Sequence, residues 1–171
     1  MTALILVAYA TKHGSTQEVA EAIAATLREH ALEVEVQPAS EVRALDRYGA
    51  VVLGAPLYSG RWHGDASRFL KRHRTALSER PVAIFALGPR SAAEEERRGS
   101  REQLDRALAK ASWLAPVAIE VFGGVIDPAK LRFPFNRMPA SDARDWTAIR
   151  AWASSLATQF QPAQASASEL A

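Results

Sequence analysis

Six consecutive residues, Thr11, Lys12, His13, Gly14, Ser15 and Thr16, collect three hydroxyls, a cation, an imidazole and a glycine between the apolar run Leu4 to Ala8 and a helical pattern. A strand-to-helix turn of this composition is suited to holding an anion. The first N–H groups of a helix lack intrahelical partners and sit at the positive end of its dipole, and glycine lets the backbone approach a ligand closely. Neither Gly-x-Gly-x-x-Gly nor Gly-x-x-x-x-Gly-Lys-Ser/Thr is present, so the dinucleotide fingerprint and the P-loop are both absent. A short hydroxyl-rich turn matches a terminal phosphomonoester instead. The competing reading is an ordinary βα turn in which Ser15 or Thr16 caps the helix.

Other chemistries are excluded more simply. The chain has no cysteine, which removes disulfides, thiolate nucleophiles, Cys-ligated zinc and iron–sulfur clusters together. Its histidines, His13, His30, His63 and His73, form no His-x-x-x-His or Glu-x-x-His pair, so no metal-ligand set is visible. Redox chemistry would have to come from a bound organic cofactor or from another metal. No catalytic side chain stands out.

The elements that must position the turn follow from hydrophobic patterning. Leu4 to Ala8, Val51 to Ala55 and Val82 to Leu87 are near-continuous apolar runs, as parallel strands covered on both faces require. Glu33 to Gln37 alternates and Val117 to Val121 carries an acid, which places both at sheet edges. Helical stripes recur at Val19, Ile23 and Leu27; at Phe69, His73 and Leu77 with Ala66 and Leu70; at Leu104, Leu108 and Ala111; and from Trp146 to Phe160. Ser40 to Asp46 is a weak helical turn.

Alternating β and α elements predict an α/β fold: a doubly wound parallel sheet of five strands in the order 2-1-3-4-5, with helices on both faces. In that order the chain reverses direction between strands one and three, and ligands bind beyond the strand C-termini at that point. The turn at residues 11–16 and the loops after Ala55 and Leu87 all open there. Residues 1–160 are expected to form one domain, and Gln161 to Ala171 to form a disordered tail. Asp127 to Asp142, with three prolines, reads as a long loop.

Charge and hydropathy narrow the partners. The chain of 171 residues is 48% hydrophobic with a formal charge of +2, and it contains neither a membrane-length apolar run nor a leader pattern, so a cytoplasmic location is expected. Between Arg61 and Arg80 six cations (Arg61, Arg68, Lys71, Arg72, Arg74, Arg80) outnumber two acids (Asp65, Glu79), which predicts a basic face. Nucleic acid is not the implied partner, because no binding motif or aromatic platform accompanies the charge.

Together, the element order, Thr-x-x-Gly-x-Thr at Thr11, Gly14 and Thr16, and the aromatics after the third strand resemble flavodoxin-like FMN proteins. Gly54-Ala55, Gly60, His63, Phe69, Lys71, His73 and Arg144-Asp145-Trp146 are similar to the flavodoxin-domain branch that includes the menaquinone-dependent protoporphyrinogen oxidase of bacteria. The resemblance implies FMN as cofactor, its phosphate held by Thr11, Lys12, His13, Gly14, Ser15 and Thr16. Pro56, Leu57, Tyr58, Ser59, Gly60 and Trp62 would form one wall beside the ring, with Tyr58 and Trp62 either as flat apolar faces for it or packed against a neighbouring loop. Gly88, Pro89 and Arg90 would begin the other wall, and Gly123-Gly124 is either a third contact or a turn. A response-regulator domain would need an aspartate where Gly54-Ala55-Pro56 stands, and a phosphatase of this topology would need a cysteine in the first turn.

Function is then expected to be electron transfer with a redox partner protein. The alternative is direct oxidation or reduction of a quinone or porphyrinogen-type substrate, whose anionic groups would suit Arg61, Arg90 and the basic face. A third possibility is a flavin-free module of the same fold. Lys130 to Met138 is a shortened counterpart of a basic, aromatic loop of the oxidase and could make peripheral membrane contact.

Overall fold

Successive side chains of a strand point to opposite faces, and β1 (Leu4–Tyr9) is apolar on both: Ile5, Val7 and Tyr9 pack on one side, Leu6 and Ala8 on the other. The same division runs through β3 (Tyr48–Tyr58) and β5 (Val82–Leu87), which explains why their central segments lack charged residues. The computed structural model describes residues 4–58, 60–88, 94–126 and 140–169, with positions 129, 133 and 137.

These strands pair in parallel with β2 (Glu33–Pro38) and β6 (Ala118–Phe122) in the order β2-β1-β3-β5-β6, the predicted 2-1-3-4-5 order counted over the long strands. The alternating and acid-bearing segments lie at the two edges. Three very short strands were not foreseen, because two-residue elements carry no periodic signal. One is β4 (Arg61–Trp62), antiparallel to the end of β3; β7 (Val125–Ile126) and β8 (Ser141–Asp142) pair with each other.

Helices α1 (Ser15–Glu29) and α5 (Trp146–Glu169) cover one face. The other carries α2 (Gly64–Arg72), α3 (Arg74–Leu77) and α4 (Glu94–Ala109). The stripe Phe69, His73, Leu77 thus spans two helices, since His73 leaves helical geometry (φ −107°, ψ 22°) while its ring packs 4.7 Å from that of Phe69. Helix α5 continues to Glu169, into the stretch expected to be a tail.

Arg80 departs from the expected basic face. Its guanidinium donates to the carbonyls of Leu45, Tyr48 (2.7 Å) and Ala76 (2.7 Å), and its side chain is only 13% exposed. It ties the connection before β3 to α3. Its role is structural.

At the β2 edge, the Tyr48 hydroxyl donates to Glu35 Oε2 at 2.5 Å and accepts from Gln37 at 2.8 Å, while Arg47 reaches Glu35 Oε1 at 2.8 Å. Burial, and then the bond to Glu35, push the phenol up to about 12. That bond, with Arg47, holds the Glu35 carboxyl below its ordinary value. A depressed carboxyl contributes stability above its unfolded value and loses it as pH falls; a raised phenol contributes none of its penalty below 10.0 and costs stability as pH climbs towards about 12. Tyr48→Phe is therefore expected to flatten both limbs of a plot of urea midpoint against pH. Limbs parallel to those of the parent would show that this cluster does not set them.

Candidate functional site

Gly14 sits at φ +92°, the left-handed region that glycine enters without a Cβ penalty, and its N–H donates to Thr11 Oγ1 at 2.8 Å. That bond closes the turn. Because a hydroxyl can accept and donate at once, Thr11 keeps its own proton for a ligand. Gly14 is also the N-cap of α1, and no side chain among the described residues caps the helix. Ser15 and Thr16 are the first two helical residues rather than caps, so the ordinary capped turn is not what forms.

Thr16 is fully buried, yet its Oγ1 has no hydrogen-bond partner among the described residues. An unmade bond of this kind costs about 1–3 kcal/mol. Native proteins rarely leave it unless something else completes it. The first N–H groups of α1 also lack a side-chain cap among the described residues, and an acceptor-rich group at this turn would satisfy such donors. A phosphomonoester fits that description. His13 lies in the same turn, half-buried.

The adjacent strands bring the other predicted residues alongside. Tyr9 of β1 pairs with Gly54 of β3, Ala10 N–H donates to Gly54 O at 2.9 Å, and Pro56 pairs with Leu87 of β5. The segments after Tyr9, Ala55 and Leu87 therefore leave the same end of the sheet side by side. Pro56, Leu57 and Tyr58 finish β3, and Gly60 (φ +78°) turns the chain into β4 so that Leu57 pairs with Trp62 and Tyr58 with Arg61.

Tyr58 is 38% exposed, and its ring lies 5.5 Å from Lys12 Nζ, so a cation of the phosphate turn already touches the expected wall. Burial pushes its hydroxyl up. Trp62 is placed differently from Tyr58. It is 5% exposed, packs in the core beneath α2 and α4, and donates its indole N–H to Ala55 O at 3.1 Å. The alternation of the short hairpin turns it inward, so it offers no open aromatic face. Gly88 follows β5 with its N–H on Phe122 O, and a Cβ there would come within 2.7 Å of Ser100 Oγ on α4. Gly124 approaches it, with a Cβ position 3.3 Å from Gly88 O. Ser59, Pro89 and Arg90 lie outside the described residues, as does most of the segment from Asp127 to Met138.

The patterning did not single out Arg144 for this site. Its side chain, 9% exposed, grips both carboxylate oxygens of Asp142 (2.9 and 2.8 Å) and reaches Ser15 O at 3.4 Å and Glu18 Oε2 at 3.3 Å. Its guanidinium also covers the Trp146 ring at 4.8 Å. No local spacing connects residue 144 with residues 15 and 18. Among the described residues there is no group of three or more His, Cys, Asp or Glu placed to hold a metal, and no helix is long and apolar enough to cross a membrane.

A parallel sheet with helices on both faces and an uncapped hydroxyl turn at its switch point defines the doubly wound α/β class, in which ligands bind at that crevice. A family model described as Flavodoxin domain matches residues 6–138, and the chain belongs to that family. Protoporphyrinogen IX dehydrogenase (quinone) of Escherichia coli strain K12 is 26% identical over 134 residues, 77% of this chain and 71% of that protein. Among solved structures, oxidised flavodoxin 1 from Bacillus cereus superposes with a TM-score of 0.57 at 19% identity, covering 88% of this chain and 95% of that one. The rubredoxin oxygen:oxidoreductase from Desulfovibrio gigas superposes with a TM-score of 0.61 at 15% identity over 94% of this chain, which spans 37% of that enzyme. Membership in this family implies FMN as the cofactor and FMN-type redox chemistry as the general function.

Proposed function

We propose that residues 1–160 form an FMN-binding domain, located in the cytoplasm, that exchanges electrons with a redox partner at the end of the sheet where β1, β3 and β5 terminate. The observation that carries this reading is the buried Thr16 hydroxyl, unpartnered among the described residues, at the start of α1, which none of their side chains caps. Bound FMN supplies one- and two-electron chemistry. The protein's task is to bind, orient and bias: Thr11, Lys12, Gly14, Ser15 and Thr16 hold the phosphate, His13 shares the turn, and Tyr58 flanks the ring. Apoprotein titrated with FMN should take up the flavin stoichiometrically and retain its colour through gel filtration. A chain that stays colourless would overturn the reading in favour of a flavin-free module.

The 26% identical dehydrogenase favours a second reading, direct oxidation of a porphyrinogen-type substrate with a quinone as acceptor. Phe133, 70% exposed with the Arg137 guanidinium 5.2 Å from its ring, offers an apolar and cationic contact for such a substrate or for a membrane surface. Steady-state turnover of protoporphyrinogen with a quinone separates the readings, since a pure carrier shows none without a protein donor.

Both readings use the exposed cations at the ring end, namely Arg61, which pairs with Tyr58 across β3 and β4, and Lys12 beside the Tyr58 ring, whereas Lys71, Arg72 and Arg74 gather with Leu45 at the opposite end of the sheet, where β3 begins. Reoxidation of the reduced holoprotein by ferricyanide, an anion, should slow as salt rises, while reoxidation by a cationic ruthenium hexaammine should quicken. Equal salt dependence for both oxidants would remove charge steering from the account.

A further inference from the structure

Resting on the FMN reading, we propose that Arg144 is the positioning residue of the phosphate turn, aiming its donors at the phosphate and neutralising a carboxylate that would repel it. Arg144 sits behind the turn rather than in it. Its contact with Ser15 O matters because a trans peptide is planar: the Ser15 carbonyl and the Thr16 N–H belong to one plane and point in opposite directions. A cation on the carbonyl side therefore fixes where the N–H points. It also polarises the peptide, making that N–H a better donor.

The second contact acts through charge. Glu18 lies in the first turn of α1, where a negative side chain is favourable to the helix but unfavourable to a dianion arriving at the same terminus. Arg144 pairs with it at 3.3 Å. Asp142 supplies the anchorage: the bidentate grip leaves the guanidinium little freedom, and Asp142 belongs to β8, paired with Val125 of β7. From there Ala143 N–H donates to Gly124 O at 2.9 Å, and Gly124 abuts Gly88. One side chain thus links the phosphate turn to the segments that follow β5 and β6.

The prediction is selectivity, not merely affinity. FMN and riboflavin share the ring and ribityl chain and differ only in the phosphate, so a residue acting on the phosphate turn must affect their binding unequally. In Arg144→Met apoprotein, FMN affinity is expected to fall about tenfold or more, the worth of a charge-assisted hydrogen bond, while riboflavin affinity changes less than about threefold. Adding Glu18→Gln to that variant should recover part of the lost FMN affinity, because the exposed repulsive charge is gone. Arg144→Lys, a milder change, keeps the charge but not the fork, and is expected to show the same selective loss at smaller size. Flavin fluorescence quenching reads both ligands, and urea unfolding of each apoprotein reports whether it is folded.

Equal losses for FMN and riboflavin in the two Arg144 variants would overturn the proposal and leave Arg144 as a structural clasp. So would unchanged FMN affinity. Parent protein that binds neither flavin would instead sink the FMN reading itself, and the parent titration, run first, tells the two failures apart.

Discussion

Replacing Thr16 by valine is expected to make the apoprotein more stable, by about 1 kcal/mol, and to weaken FMN binding about tenfold or more. The two effects have opposite signs for one reason. Thr16 is fully buried and its hydroxyl is unmatched among the described residues, so an apoprotein carrying it bears a desolvation cost that an isosteric methyl removes. The holoprotein recovers that cost only through a bond to the ligand, and a hydrogen bond to a charged acceptor is worth about 1.5–3 kcal/mol. Urea unfolding of the apoprotein and a flavin fluorescence titration measure the two quantities separately. A variant that loses stability and leaves the FMN dissociation constant unchanged would mean that Thr16 Oγ1 belongs to the core and not to the site.

The largest effect on folding is expected at Gly54. It pairs with Phe85 across β3 and β5, and a Cβ on Gly54 would stand 1.8 Å from Phe85 Cζ and 2.0 Å from Cε1. Phe85 cannot swing away, because it is fully buried with ring centroids 6.2 Å from Phe122 and 6.1 Å from Trp152. Gly54→Ala should therefore destabilise by about 3 kcal/mol, the upper range for overpacking a core. The double variant with Phe85→Leu removes the far end of the ring that the new methyl would strike. In that background the cost of Gly54→Ala should fall below about 1 kcal/mol, a strong coupling in a double-mutant cycle. Additive losses would show that the strain arises elsewhere. The consequence extends to function, since Ala10 N–H bonds to Gly54 O immediately before the phosphate turn.

Much of this was legible in the chain itself, and for a common physical reason. A strand buried on both faces must be apolar throughout, and a covering helix must repeat every three or four residues. Leu4 to Ala8, Val82 to Leu87 and the stripe Val19, Ile23, Leu27 therefore announce their elements locally. The sheet order followed from which strands could tolerate Glu33, Glu35 or Glu120 at an edge. The composition of the phosphate turn was equally visible, because its ligand groups are consecutive.

What residue order could not convey is direction and distant contact. Tyr58 and Trp62 looked alike as flat aromatics, but only the hairpin register shows Trp62 turned into the core and Tyr58 left beside Lys12. Gly54 was visible as a glycine, while the ring that requires it lies 31 positions later in the chain, at Phe85. Arg80 counted as one more surface cation until its three carbonyl partners appeared. Arg144 is the clearest case, since its contacts with Ser15 and Glu18 span 129 and 126 positions. Periodicity encodes what each residue does to its own element, whereas a site assembled from four segments depends on how those elements come to rest against one another.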